Sequence, residues 1–180
     1  MKKMLFIGAA LLALTSCGKS AQSSMESFCG DMSAGKWQQA FATFGDAETM
    51  KAALADFEKE PETKQMAEAL FGNSKCSVTA SKEDVITVDV DAVNALAVTG
   101  QVMADSMGMA FMAAFGGAGG EEMMQEAVVG KMLAGLTADD APRTKATVDV
   151  AMHQVQGRWV PKDADELLSA LVGGLDKIGE

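Results

Sequence analysis

Apolar residues recur along this chain with two different periods, and the switch between them divides it into elements. Met25, Phe28, Cys29 and Met32 fall at helical spacing, and after the break Ser33-Ala34-Gly35 the pattern resumes with Trp37, Ala40, Phe41 and Phe44. Met50, Ala53, Leu54 and Phe57 predict a further helix, which the charged stretch 58–61 closes. Met66, Ala69 and Leu70 predict a short one, stopped by Gly72-Asn73. The period then falls to two. Cys76, Val78 and Ala80 share one face of a strand, with Lys75, Ser77 and Thr79 on the other; after residues 81–84, Ile86, Val88 and Val90 repeat the arrangement and predict a hairpin.

Near the C-terminus, Val148, Val150 and Met152 alternate with Thr147, Asp149, Ala151 and His153. Gln156-Gly157 is placed to turn this strand into Arg158-Trp159-Val160, because glycine accepts the positive φ of a tight hairpin turn. Pro161 marks the end of that edge. A closing helix carries Leu167, Leu168, Leu171 and Val172, with Asp163 or Asp165 near its start and Gly173-Gly174 to cap it. Residues 91–140, between the two hairpins, form an inserted helical pair. Val93, Leu96, Ala97, Met103, Met107, Ala110, Phe111 and Ala114 occupy one face of its first helix, and Val98, Val102, Met109, Met112 and Phe115 the other. After Gly116-Gly117-Ala118-Gly119-Gly120, the run Met123, Met124, Ala127, Val128, Met132, Leu133 and Leu136 builds its second. A helix apolar on two faces must bury both.

The first residues have a different logic. Lys2 and Lys3 precede an apolar run over residues 4–14, which is the build of a secretory signal and too short to span a bilayer. Leu14-Thr15-Ser16-Cys17 resembles the lipobox of bacterial lipoproteins: an aliphatic residue, two small residues, then the cysteine that receives lipid. The resemblance implies residues 1–16 as signal peptide, cleavage before Cys17, a diacylglyceryl thioether on that cysteine and palmitate-type acylation of the new amino group. Residues 17–24 then form a small polar tether and 25–180 a single domain. Two or three acyl chains hold a protein at a membrane surface. The expected location is therefore outside the cytoplasm, on the cell membrane or, with Gly18 after the cysteine, the outer membrane.

The leader carries two lysines and no acid, so its removal takes the formal charge from −10 to −12. Such a chain repels polyanions, which argues against nucleic acid as a partner. With Cys17 committed to lipid, Cys29 and Cys76 are the remaining thiols of the three in an oxidising compartment. They are either bridged, tying the first helix to the first strand, or buried separately. Neither has a second Cys or His at ligand spacing, so no metal site is expected.

Helices followed by an antiparallel sheet resemble the nuclear-transport-factor-2-like, cystatin-related fold. The residues that carry the likeness are Ser33-Ala34-Gly35-Lys36-Trp37-Gln38-Gln39-Ala40-Phe41-Ala42-Thr43-Phe44, similar to its helix-start pattern, and Val155-Gln156-Gly157-Arg158-Trp159-Val160, similar to its final hairpin. The likeness covers about two thirds of the mature chain, and both motifs within it are short. The resemblance implies an α+β fold, with N-terminal helices on a curved, cone-like, four-stranded antiparallel sheet. The helical hairpin is inserted between the two β-hairpins, and a C-terminal helix follows. An inserted pair seated at the open end of the cone would fill the place where enzymes of this fold bind ligands. Fold alone carries no activity.

Candidate chemistry is sparse. His153 is the single histidine, with Asp149 four residues earlier on the same strand face as an orienting partner for general-base work; a solvent-facing strand side accounts for the same letters. There is no tyrosine, no G-x-S-x-G element and no phosphate loop in the glycine run. Asp139-Asp140 and Glu121-Glu122 lack the spacing of a calcium loop. Seven of fourteen methionines lie between Met103 and Met132. Methionine is flexible and polarizable, suited both to packing and to an adaptable apolar surface. The apolar binding surface is therefore expected at Met103, Met107, Phe111, Met112, Phe115, Met123 and Met124. The leading expectation is a membrane-anchored, non-catalytic binding or interaction module without a cofactor, taking an apolar ligand or an envelope protein. An enzyme, intact or degenerate, built around His153 and Asp149 is the alternative, and a purely structural envelope protein is the third.

Overall fold

The computed structural model describes residues 20–44, 61–115 and 120–175, with side chains described outside 108–123. The helix expected at Met50, Ala53, Leu54 and Phe57, and Cys17 with the leader, lie outside the described residues. The architecture is α+β. Helices α1 (Ala21–Ser33), α2 (Trp37–Phe44) and α3 (Pro61–Phe71) precede strands β1 (Lys75–Lys82) and β2 (Val85–Val93). The inserted helices α4 (Ala95–Phe115) and α5 (Gly120–Thr137) follow, then β3 (Arg143–Val155), β4 (Arg158–Pro161) and α6 (Asp165–Leu171). The four strands form one antiparallel meander in the order β1-β2-β3-β4.

One face of this sheet is apolar and buried. The register sets Cys76 opposite Val90, Val78 opposite Val88, Val88 opposite Val148 and Ile86 opposite Val150. Against these pack Met25, Phe28 and Met32 of α1 and Leu167 and Leu171 of α6. Aromatic rings extend the core sideways. Phe28 stacks on Phe44 at 4.6 Å between ring centroids, and Phe41 and Trp37 meet Phe71 at 5.1 and 5.6 Å, so α1, α2 and α3 share one seam. The opposite face stays polar and open, where Thr147 donates to Asp89 and Thr87 to Asp149, both at 2.7 Å.

Two details depart from simple alternation. A β-bulge between Val78 and Ala80 sets Ala80 opposite Thr87, on the polar side, so Ala80 leaves the face it was expected to share with Cys76 and Val78. Asp91, Ala92 and Val93 continue β2 instead of opening the inserted helix, because Asn94 caps that helix: its side chain accepts from Ala97 N–H at 3.0 Å. At the N-terminus Ser20 plays the same part, accepting from Ser23 N–H at 3.0 Å, so α1 begins within the stretch expected to be tether. Pro61 opens α3 at the first helical position, where its missing N–H costs nothing. In α6, Leu167 and Leu171 face the core while Leu168 is 37% exposed.

Both hairpin turns use positive φ, at Glu83 in the first and at Gln156 and Gly157 in the second. Lys162, just past β4, reaches the first turn and donates to Asp84 at 2.9 Å. That hydrogen bond, with the ammonium charge behind it, holds the exposed Asp84 carboxyl below the usual carboxylate range. Ser74 joins the far ends of two helices: its buried hydroxyl lies 2.8 Å from the Leu70 carbonyl and 2.7 Å from that of Leu171.

Cys29 and Cys76 are joined by a disulfide that ties α1 to β1 across 47 residues of chain. On the loop-entropy model a closed loop of that length contributes about 4 kcal/mol. Unfolding the Cys29→Ala/Cys76→Ala variant in urea should show a loss of about 2–5 kcal/mol; an unchanged midpoint would mean that helix packing alone secures the edge. Gly173 supplies a second fixed point. It has φ +62°, and a Cβ there would sit 1.8 Å from the Val93 carbonyl oxygen. Gly173→Ala should cost about 2–4 kcal/mol, from overpacking added to left-handed strain. Gly174→Ala, with φ +76° and open space around it, should cost only about 1 kcal/mol. Thermal melts of the pair check this contrast.

Candidate functional site

The inserted hairpin is anchored at its base. Val98 and Val102 of α4 and Leu136 of α5 are buried with Ala69 and Leu70 of α3 and Val93 of β2. Gly135 lets the two inserted helices approach there, since a Cβ at that position would stand 2.8 Å from Cγ1 of Val98. The face that turns inward is thus the Val98 and Val102 face. The other turns out: Leu96, Met103 and Met107 are 45%, 60% and 76% exposed. Spaced seven and four residues apart, they form one stripe along a helix about 31 Å long.

Of the seven residues expected at the apolar surface, Met103 and Met107 lie on this stripe and Met124 on α5 is half-buried. The side chains of Phe111, Met112, Phe115 and Met123 lie outside those described. Among the described residues the hairpin packs on α3 and the end of β2, while the sheet's apolar face is covered by α1 and α6. No helix among the described residues is long and apolar enough to cross a membrane.

His153 lies on the polar sheet face, paired with Val160 of β4. Its Nδ1 is enclosed and makes no hydrogen bond among the described residues. Asp149 shares that face, where its carboxylate accepts from Thr87 at 2.7 Å, and among the described residues no hydrogen bond joins His153 Nδ1 to it. Among the described residues no three His, Cys, Asp or Glu side chains are grouped to hold a metal ion.

Two grooves flank the sheet. One, of about 490 Å³, crosses its polar face between Lys75, Asp91 and Lys145, with Asp89 and Thr147 on its floor. The other, of about 590 Å³, runs between β3 and α6, with Ala146 and Val148 beneath it, Leu96 at one end and Asp165 and Glu166 on its rim. Neither is lined by His153. The second groove lies outside the sites expected from the sequence, which placed the third strand only over residues 147–153 rather than 143–155.

Compared with protein-family models, with curated proteins and with solved structures, the chain matches none.

The stripe and the base of the hairpin should respond in opposite ways to substitution. Leu136→Ala should cost about 2–4 kcal/mol by leaving a cavity. Met103→Lys and Met107→Lys should each stay within about 0.5 kcal/mol, as exposed substitutions do. Urea titration of the three variants measures the difference, and a large loss from either methionine would place it in a packed core.

Proposed function

We propose that the protein is an envelope lipoprotein, held outside the cytoplasm by lipid on Cys17. In this reading it acts there as a non-catalytic binding module through its methionine-rich hairpin. The single observation that carries the reading is the exposed stripe Leu96, Met103 and Met107 on the first helix of the inserted pair. Exposed apolar side chains that form a contiguous stripe favour burial against something else. Methionine adapts its shape to what it meets, which suits an apolar ligand or a partner protein. The leader and Leu14-Thr15-Ser16-Cys17 support the address, and the Cys29–Cys76 disulfide is the chemistry of an oxidising compartment.

Native mass spectrometry of the full chain, expressed with its leader and extracted from membranes, tests both halves. The expected species has lost residues 1–16, carries diacylglyceryl on Cys17 and retains an apolar adduct or a protein partner. Cys17→Ser should abolish the lipid mass and release the protein from the membrane fraction. Met103→Lys/Met107→Lys should keep the lipid but lose the adduct or partner. An uncleaved, unlipidated chain would overturn the anchor. A bare lipidated monomer, unaffected by the methionine changes, would overturn the hairpin's role.

A further inference from the structure

The third strand outruns its neighbour. β3 has 13 residues and β4 has four, and β4 pairs only with residues 152–155. Beyond them, among the described residues, no strand pairs with that edge of β3. The direction of the free main-chain groups follows from three hydrogen bonds. Lys162 N–H donates to the Ala151 carbonyl on the β4 side at 2.8 Å. Met152 N–H donates to Asp84 O at 2.7 Å, and Pro142 O accepts from Asn94 N–H at 2.7 Å, both on the β2 side. The β2·β3 register runs from Val85↔Ala151 to Val93↔Arg143 without a bulge, so the alternation holds throughout. Lys145, Thr147 and Asp149 therefore direct N–H and C=O groups out of the open edge. Ala146 and Val148 bond β2 and turn their side chains toward the groove.

The groove of about 590 Å³ lies against this part of β3, lined by Thr144, Ala146 and Val148, with α6 as its far wall. Its lining includes Asp165 and Glu166, both exposed, and no basic side chain. The outer edge of β1 is treated differently. There Ser33 Oγ satisfies both main-chain groups of Cys76, at 3.1 and 3.3 Å, and the bulge at Val78/Ala80 disrupts the line. Bulges and capped groups are the usual protection of sheet edges.

We propose that the open edge of β3 is a strand-addition site for an extended segment of a partner polypeptide. The segment continues the line of β4 and pairs with Lys145, Thr147 and Asp149. It sets small apolar side chains on Ala146 and Val148 and a basic residue against Asp165 and Glu166. Main-chain pairing supplies affinity in this mode, and alternate side chains supply specificity. Five residues of added strand span about 17 Å. The site meets the exposed stripe at Leu96, but its pairing groups lie on β3 and do not depend on that stripe's role.

The test uses the full chain in detergent and a fluorescein-labelled nonapeptide in which threonine and valine alternate between terminal lysines, beside a version with a central proline. Amide exchange at Lys145, Thr147 and Asp149 should be fast in the free protein and slow by about tenfold or more with the first peptide. Ala146 and Val148 are protected already and should change little. The proline peptide should not bind. Thr147→Pro removes an outward N–H that the β2 ladder does not use, and should abolish binding. Asp165→Asn/Glu166→Gln should weaken it about three- to tenfold, and this variant carries the test should Thr147→Pro unfold the sheet. No protection at millimolar peptide overturns the site, as does equal binding of both peptides or by the charge variant. Protection that appears without peptide and rises with protein concentration would overturn the partner segment in favour of a second copy of this chain.

Discussion

Burial of one face of the sheet beneath α1 and α6 is the constraint on which the other elements depend. Ile86, Val88 and Val90 stand beside Val148, Val150 and Met152, and Met25, Phe28 and Met32 close over them. A sheet of this kind is specified strongly, because a slip of one residue would turn every one of those side chains to water. Everything peripheral is attached to this layer. The Cys29–Cys76 disulfide fastens α1 to the edge strand, the aromatic seam brings in α2 and α3, and Gly173 lets the end of α6 press against the β2 terminus.

The inserted hairpin follows from the same layer by exclusion. With α1 and α6 already on the apolar face, no room remains there for two long helices, so they pack at the end of the sheet around a second small core. That core is built where Gly135 permits close approach to Val98. It buries one face of α4 and leaves Leu96, Met103 and Met107 outside it. The surplus of apolar surface is thus a consequence of topology as much as of composition.

The polar face has the opposite character. Its carboxylates are engaged by threonines across the strands, Asp89 by Thr147 and Asp149 by Thr87. Such pairs stabilise a sheet face without creating a reactive centre. Asymmetry between the two edges matters more. The β1 edge is closed by Ser33 and a bulge, while among the described residues no strand pairs with β3 beyond residues 152–155, and a groove with an acidic rim lies over Ala146 and Val148.

Much of this was legible in the residues alone. Period-two alternation placed Val88, Val90, Val148 and Val150 on one face, the helical period located α1, α3 and the inserted pair, and Gln156-Gly157 marked its turn, because each signal is local and repeats over several residues. Local pattern misassigned Ala80 and Val93, where a bulge and a side-chain cap override the period. It left the cysteine pair open, since bridging depends on a Cα–Cα distance, here 5.0 Å, between residues 47 apart. Nor did it indicate which face of the doubly apolar α4 turns inward, or that Asp149 accepts from Thr87. Those outcomes depend on which elements reach the sheet face and how far each strand extends, and only the tertiary structure decided them.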